Sequence, residues 1–304
     1  MKKTFSFILI CAAFQLANAQ NITGRIADSI NGRPLSYAII LYNFQKNITY
    51  SDESGFFYLE KDSLPRNDSI LIQFLGYRNL IISVKDLKDN AVFKMIEEPS
   101  SLGPVVVSNC TKIKEYRINR RVGRIKQFIG PGPETKLVIL AKYNNGQNKE
   151  GYVNSVQIYI NEISQKLKVP VRFRWYEWDT GNNRPGRELT DTNILVYPYK
   201  NGWNEFKIPA NTLFCSSGGI VFGLEFIYPA EYEQHYKTIK STDEKIKWLN
   251  DMQNRWSLGM QIIRDAAQRS FYIINNKPLN EYTGRAFEEY IRPAVKFTFT
   301  ACKK

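Results

Sequence analysis

From Ile22 to Tyr77, and again from Lys136, the chain alternates short apolar runs with turn signals rich in Gly, Asn and Pro. Runs that short, alternating apolar with polar residues, fit strands and not helices, so the pattern predicts an all-β protein. The densest stretch is the first. Ile22-Thr-Gly-Arg-Ile-Ala-Asp is followed by Asn31-Gly-Arg-Pro-Leu, Ser51-Asp-Glu-Ser-Gly-Phe-Phe and Phe74-Leu-Gly-Tyr77. The Asn31-Gly32 pair suits the positive φ angles of a tight hairpin. Pro34 fits a strand start or edge, where a missing N–H costs no ladder bond. Gly55 suits a reversal before a strand at Phe56–Leu59.

These residues resemble the carboxypeptidase-like regulatory domain, a transthyretin-like β-sandwich of secreted and outer-membrane proteins in Bacteroidetes-type bacteria. Gly24, Ile26 and Asp28 match its first block, and Gly32, Pro34, Leu35 and Ala38 its second. Ser51, Asp52, Gly55 and Phe57 match the third, with Ser in place of the usual Thr, and Gly76-Tyr77 closes the pattern. The resemblance covers residues 20–98 and implies a fold and a compartment. Its motifs carry no chemistry.

A chain of 304 residues, 43% hydrophobic and 23% charged, has the length for two domains and the apolar content for real cores. Lys2-Lys3, the apolar run Phe5–Phe14 and Ala17-Asn18-Ala19 form the pattern of a secretory leader, with cleavage expected after Ala19. Export to the periplasm, outer membrane or cell surface follows as an expectation. A lipoprotein reading through Cys11 fits less well, because Ile10 before it is not small. No later run is long enough for a membrane-spanning helix. Loss of the two leader lysines leaves a formal charge of +11 out of +13. That balance suits acidic glycans or anionic lipids as partners, or serves solubility alone. Nucleic acid is not expected for an exported chain. Cys110, Cys215 and Cys302 remain, an odd and widely spaced set that allows one disulfide or none. Asp28-Ser29-Ile30, Asp62-Ser63-Leu64 and Asp68-Ser69-Ile70 look like the acceptor triplet of Bacteroides-type O-glycosylation at Ser29, Ser63 and Ser69. Chance in turn-rich sequence accounts for them equally well.

The predicted organisation is a leader at 1–19, a first sandwich at 20–98, a basic linker at 99–130 and a second antiparallel, jelly-roll-like sandwich at 131–304. Strands at Ser69–Leu75, Leu80–Val84 and Ala91–Ile96 complete the first domain. Lys112 to Lys126 is the most basic segment. It reads either as an anion-binding strip using Arg117, Arg120, Arg121 and Arg124, or as a solvated linker or exposed strand side. In the second domain, Leu137–Lys142, Gly151–Ile160, Val169–Trp178, Asn193–Tyr197, Asn204–Ile208, Gly219–Tyr228, Gly259–Ile263, Phe271–Ile274 and Ala294–Thr300 are strand candidates. One inserted helix is expected at Thr242–Arg255, capped by Ser241 or Thr242, with Ile246, Leu249 and Met252 along its packed face. A second short helix is drawn at Thr283–Tyr290. The order of motifs in this half looks like an uncharacterised β-domain that often follows the regulatory-like domain, and it names no activity.

Catalytic patterns are poorly supplied. A zinc carboxypeptidase needs two His and a Glu on its metal, and the chain has one histidine, His235. Asp179-Thr-Gly has no second copy for an aspartic-protease pair, and it opens a turn where Asp belongs anyway. His235, read as lying in a loop, has Glu231 and Glu233 nearby but no nucleophile elbow. No phosphate-binding Gly loop is present, so no nucleotide cofactor is expected, and the cysteines form no C-x-x-C pair and have no nearby His, so no metal is expected. Glu177, Asp179, Glu205 and Glu225 are the candidates for a carboxylate-based glycosidase.

The aromatic residues of the second domain suggest binding instead. In Val171-Arg-Phe-Arg-Trp-Tyr-Glu-Trp, alternation places Val171, Phe173 and Trp175 on one face and Arg172, Arg174, Tyr176 and Trp178 on the other. With Trp203, the second set would form a platform for sugars or acidic ligands if exposed. The alternative is that the predicted helix covers it. The expected function is therefore an exported, non-catalytic envelope module that binds or supports, with carbohydrate binding as the alternative. The partner would be an outer-membrane protein or a polysaccharide. About 200 residues after the first domain are too few for a plug and a barrel of roughly 22 strands, so a TonB-dependent receptor is not expected, and an adaptor that docks on one stays open.

Overall fold

The computed structural model describes residues 21–98, 113–119, 122, 125–129, 137–163, 169–190, 192–228, 230–251, 256–263, 270–274, 280–281 and 290–302. They form two compact units. One comprises the described residues up to Gln73 together with Asn79–Ile96, and the other Phe74–Arg78 with the described residues from Glu97 onward.

The first unit holds β1 (Asn21–Asp28), β2 (Ile39–Tyr42), β3 (Asn47–Tyr50), β4 (Phe56–Glu60), β5 (Ser69–Gln73), β6 (Leu80–Ser83) and β7 (Ala91–Met95). They make a sheet in the order β4-β1-β7 and another in the order β3-β2-β5-β6. All pairs are antiparallel except β1 with β7, which run parallel from Gly24↔Ala91 to Asp28↔Met95. Alternation in β5 turns Ile70 and Ile72 inward, where with Ile26, Ile40 and Leu59 they are almost wholly shielded from solvent.

The motif residues of this unit act on its turns. The buried Ser51 hydroxyl donates to the Leu35 carbonyl and accepts from the Ala38 N–H, both at 2.8 Å. Gly55 has φ +78°, and a Cβ there would come within 2.5 Å of the Ile26 carbonyl oxygen. Only glycine satisfies both the angle and the approach. Two of the Asp-Ser-aliphatic triplets have structural duties. Asp28 accepts from the N–H groups of Ile30 and Asn31, and Asp68 from that of Phe44. Ser63 lies in a short 3-10 turn and donates to the Glu60 carbonyl.

The second unit is a two-sheet sandwich. Its strands are β8 (Ile113–Ile118), β9 (Ile125–Ile129), β10 (Leu137–Tyr143), β11 (Gly151–Ile163), β12 (Val171–Asp179), β13 (Arg184–Glu188), β14 (Ile194–Val196), β15 (Gly202–Lys207), β16 (Phe214–Cys215), β17 (Ile220–Phe226), β18 (Trp256–Ile263), β19 (Ser270–Ile274), β20 (Asn280–Glu281), β21 (Tyr290–Pro293) and β22 (Val295–Cys302). One sheet runs β13-β12-β17-β10-β19-β20, with β14 beside β12. The other runs β21-β18-β11-β22-β8, with β15 and β16 beside β11 and β9 beside β18. Phe173, Phe222, Phe297 and Phe299 meet between the sheets, and the Phe222 and Phe297 ring centres are 5.1 Å apart.

Three expectations need correction here. The stretch 99–130 is not a linker throughout, because β8 pairs along β22 and β9 along β18. The helix expected from Thr242 is present as α2 (Thr242–Asn250), and a further helix, α1 (Ala230–Thr238), precedes it where a loop was expected. His235 therefore lies on a helix and not in a loop. Ser241 caps α2 as the sequence suggests, accepting from the Glu244 N–H. The packed residue of α2, however, is Trp248, whose ring centre is 4.4 Å from that of Tyr232, while Ile246 is exposed. A tryptophan carries more area to bury than an isoleucine and sets the rotation of the helix. The extension of α2 to Arg255 and the helix at Thr283–Tyr290 fall mostly outside the described residues, and Tyr290 begins a strand. No described helix is long and apolar enough to cross a membrane.

Candidate functional site

A groove of the second unit lies on the outer face of the β11 sheet. In β11, Val156, Ile158 and Ile160 point into the core, so Ser155, Gln157 and Tyr159 point out. Register carries the same outward face to both neighbours. Ser155 stands beside Lys207 and Thr298, Gln157 beside Glu205 and Lys296, and Tyr159 beside Trp203. Thr298 in turn stands beside Arg117 of β8. These rows form a groove of ≈ 550 Å³, its floor on β11 and its sides on β15 and on β22 with β8. That volume is in the range of small-ligand sites.

Beyond the groove, the next outward row of the same sheet face is aromatic. The Trp203 and Tyr159 rings meet edge to face with centres 5.4 Å apart. Gly259 of β18 lies beneath Tyr159, and a Cβ there would be 2.6 Å from the tyrosine ring. The ring can lie down on the sheet only because that position is bare. The Lys296 side chain reaches across β11, and its ammonium stands 3.9 Å from the centre of the Trp203 ring. Along the sides, Glu205 accepts a 2.8 Å hydrogen bond from Ser155, and Glu115 pairs with Arg117 at 3.4 Å. Lys207 and Lys296 have no carboxylate partner among the described residues. The backbone behind Trp203 is fixed by the fully buried Asn204, which bonds to the Tyr199, Lys200 and Gly202 peptide groups.

The predicted platform on β12 is different from expectation. Alternation assigned the faces correctly, but Arg172, Arg174 and Tyr176 are buried, so they present no surface. Oε2 of Glu225 is 2.6 Å from Nε of Arg174 and 3.3 Å from Nη1 of Arg172. The Nε contact is ionic only, since its N–H is not aimed at the oxygen. Arg174 also meets Glu188 at 3.0 Å, and Arg172 donates to Asn193. Burial works against the Arg174 charge, but Glu225 and then Glu188 outweigh it and hold the guanidinium firmly protonated. Burial pushes the neighbouring Tyr176 phenol up, so it stays neutral. Trp178 is half-buried with the Lys142 ammonium 4.6 Å from its ring centre. Trp203 belongs to the other sheet, so the predicted set is divided between two places.

The remaining candidates also separate. Glu225 is enclosed by the arginines. Glu177 pairs with Arg187 on the surface at 2.6 Å, and Glu205 lies in the opposite sheet. Asp179 accepts from the side chain and backbone of Asn182, which holds its carboxyl below the ordinary range. Arg117 is exposed on β8, whereas Arg120, Arg121 and Arg124 lie outside the described residues. His235 is exposed at the side of Trp248, with ring centres 5.2 Å apart. Cys215 is a free, buried thiol. The Cys110 residue and the Cys302 side chain are not among those described. Among the described residues no His, Cys, Asp and Glu cluster suits a metal ion.

Sequence reasoning missed Gln157, Tyr159, Lys207 and Lys296. The signal was present in Ser155-Val-Gln-Ile-Tyr-Ile and Lys296-Phe-Thr-Phe-Thr, where polar and aromatic residues alternate with core residues. Only the pairing of these two strands shows that the outward positions converge.

No family model and no curated protein matches the chain. Among solved structures, the chain is similar to the cysteine protease and lectin-like domains of Cwp84, a surface layer associated protein of Clostridium difficile. The identity is 11% and the TM-score 0.34, over 88% of this chain and 59% of that one. The chain thus spans less than two thirds of that protein's length, and a TM-score of this size supports no assignment.

Proposed function

We propose that the chain is an exported, non-catalytic binding module of the cell envelope that holds a polysaccharide on the outer face of the β11 sheet. The observation that carries this reading is the Trp203–Tyr159 pair on the same sheet face as a groove rich in hydrogen-bonding side chains, joined to it by Lys296. Aromatic rings offer apolar area to the C–H faces of sugars, while Gln157, Thr298 and Glu205 offer donors and acceptors to hydroxyls. Export is supported by the leader-like start and by the resemblance of residues 20–98 to an envelope-associated domain. The non-catalytic reading rests on the carboxylates, whose described contacts give each a separate structural partner.

The test is capture of the mature chain from native envelopes beside its Trp203→Ala and Trp178→Ala variants. Co-purifying polysaccharide that is lost with Trp203→Ala and kept with Trp178→Ala supports the reading. Recovery of one stoichiometric outer-membrane protein, with polysaccharide absent, would replace it with an adaptor role.

A further inference from the structure

The groove contains a detail that a site for neutral sugars does not need. The face of Trp203, the ring best placed for stacking, is covered by the Lys296 ammonium at 3.9 Å. A neutral sugar must displace that cation to stack on this face and gains only hydrogen bonds from it. An anionic group meets it directly. Lys207 stands on the opposite side, two strand spacings or about 10 Å away and one row further along. The charges of the groove still leave a positive surplus: Glu115 pairs with Arg117, and Glu205, bonded only to the neutral Ser155 hydroxyl, is one carboxylate against two lysines. No strongly exposed apolar side chain lines the groove, as insertion into a lipid surface would require.

We propose that the groove is built for an acidic polysaccharide, one whose sugar carboxylates pair with Lys296 and Lys207. Gln157 and Thr298 then meet its hydroxyl groups. This rests on the carbohydrate reading above and narrows its ligand class. Trp203 holds the Lys296 ammonium over the floor through its π face and so positions the charge before the ligand arrives. Arg117, already paired with Glu115, acts from the rim.

The experiment is affinity electrophoresis of the mature chain in gels containing polygalacturonate, alginate or hyaluronan, each beside its methyl-esterified or carboxyl-reduced counterpart. Retardation by at least one acidic polymer and not by its neutral partner is expected. Lys296→Met and Lys207→Met should each weaken it at least five-fold, and Lys85→Met, in the first unit, should leave it unchanged. Trp203→Ala should weaken it as much as Lys296→Met, although it removes no charge. Equal retardation by a neutral counterpart overturns the acidic-ligand inference and leaves the carbohydrate reading standing. Equal effects of Lys85→Met and Lys296→Met, or full retention in Trp203→Ala, reduce the binding to general polycation attraction and overturn the site. Absence of retardation by all six polymers removes the carbohydrate reading as well. Binding to vesicles of anionic phospholipid that is lost in Lys296→Met would overturn the polysaccharide in favour of a lipid surface.

Discussion

A single oxygen of Glu225 lies within 3.3 Å of Arg172 and 2.6 Å of Arg174, in an interior closed to solvent. Two buried guanidinium groups thus share one carboxylate, while Glu188 also meets Arg174 and Asn193 accepts from Arg172. Glu225→Gln leaves one of the two buried positive charges uncompensated, and we expect a loss of about 3–5 kcal/mol, the usual cost of removing one partner of a buried pair. A lowered urea midpoint at unchanged slope is the readout. The Glu177–Arg187 contact is equally short at 2.6 Å but exposed, so Glu177→Gln should leave the midpoint within error.

Ser51 bonds two backbone groups of the first unit at once. Ser51→Ala strands the Leu35 carbonyl and the Ala38 N–H in a buried place, at an expected cost of about 1–3 kcal/mol. Ser51→Thr keeps the hydroxyl and should retain most of that stability in the same melt. Equal losses in the two variants would contradict the hydrogen-bond account.

At Gly259 a methyl group collides with the Tyr159 ring. Gly259→Ala is expected to destabilise by about 1–3 kcal/mol, as other overpacked sites do. It should also tilt the ring away from Trp203. Adding Tyr159→Ala removes the obstacle, so the double variant should be more stable than Gly259→Ala alone. A double-mutant cycle measures that coupling.

Burial pushes the Cys215 thiol from an ordinary 9.0 up to about 12, against a smaller opposing effect from the Asn145 hydrogen bond. The native protein should therefore resist alkylation at this residue at pH 8.5, and urea should expose it, as peptide mapping would show. The folded form holds this proton more tightly than the unfolded form does. Its contribution to stability is complete below about pH 9 and is lost as the pH rises towards 12.

The strand content of both units was legible because alternation is a local property. Val171, Phe173 and Trp175 could be placed on the core face from β12 alone. What covers the opposite face could not. Glu225 lies 53 positions from Arg172 in the sequence, and Glu188 arrives from a hairpin with an irregular register. An Arg-rich, aromatic strand has the same local pattern whether it faces water or buried carboxylates. Trp203 was recognised and its companions were not, because Tyr159 and Lys296 come from strands 44 and 93 residues away in either direction. The basic segment had the same ambiguity: β8 completes a sheet through pairing with β22, a contact that no window of sequence contains.

The parallel pairing of β1 with β7 has a mechanical consequence. The first strand of the unit enters at one end of the pair, and the last strand leaves from the other. Tension applied between the two exits slides β1 along β7 and strains all five register pairs, Gly24↔Ala91 to Asp28↔Met95, together. An antiparallel pair pulled in the same way would open one bond at a time, like a zip. The first unit is thus arranged to withstand stretching, a useful property for a tether under load.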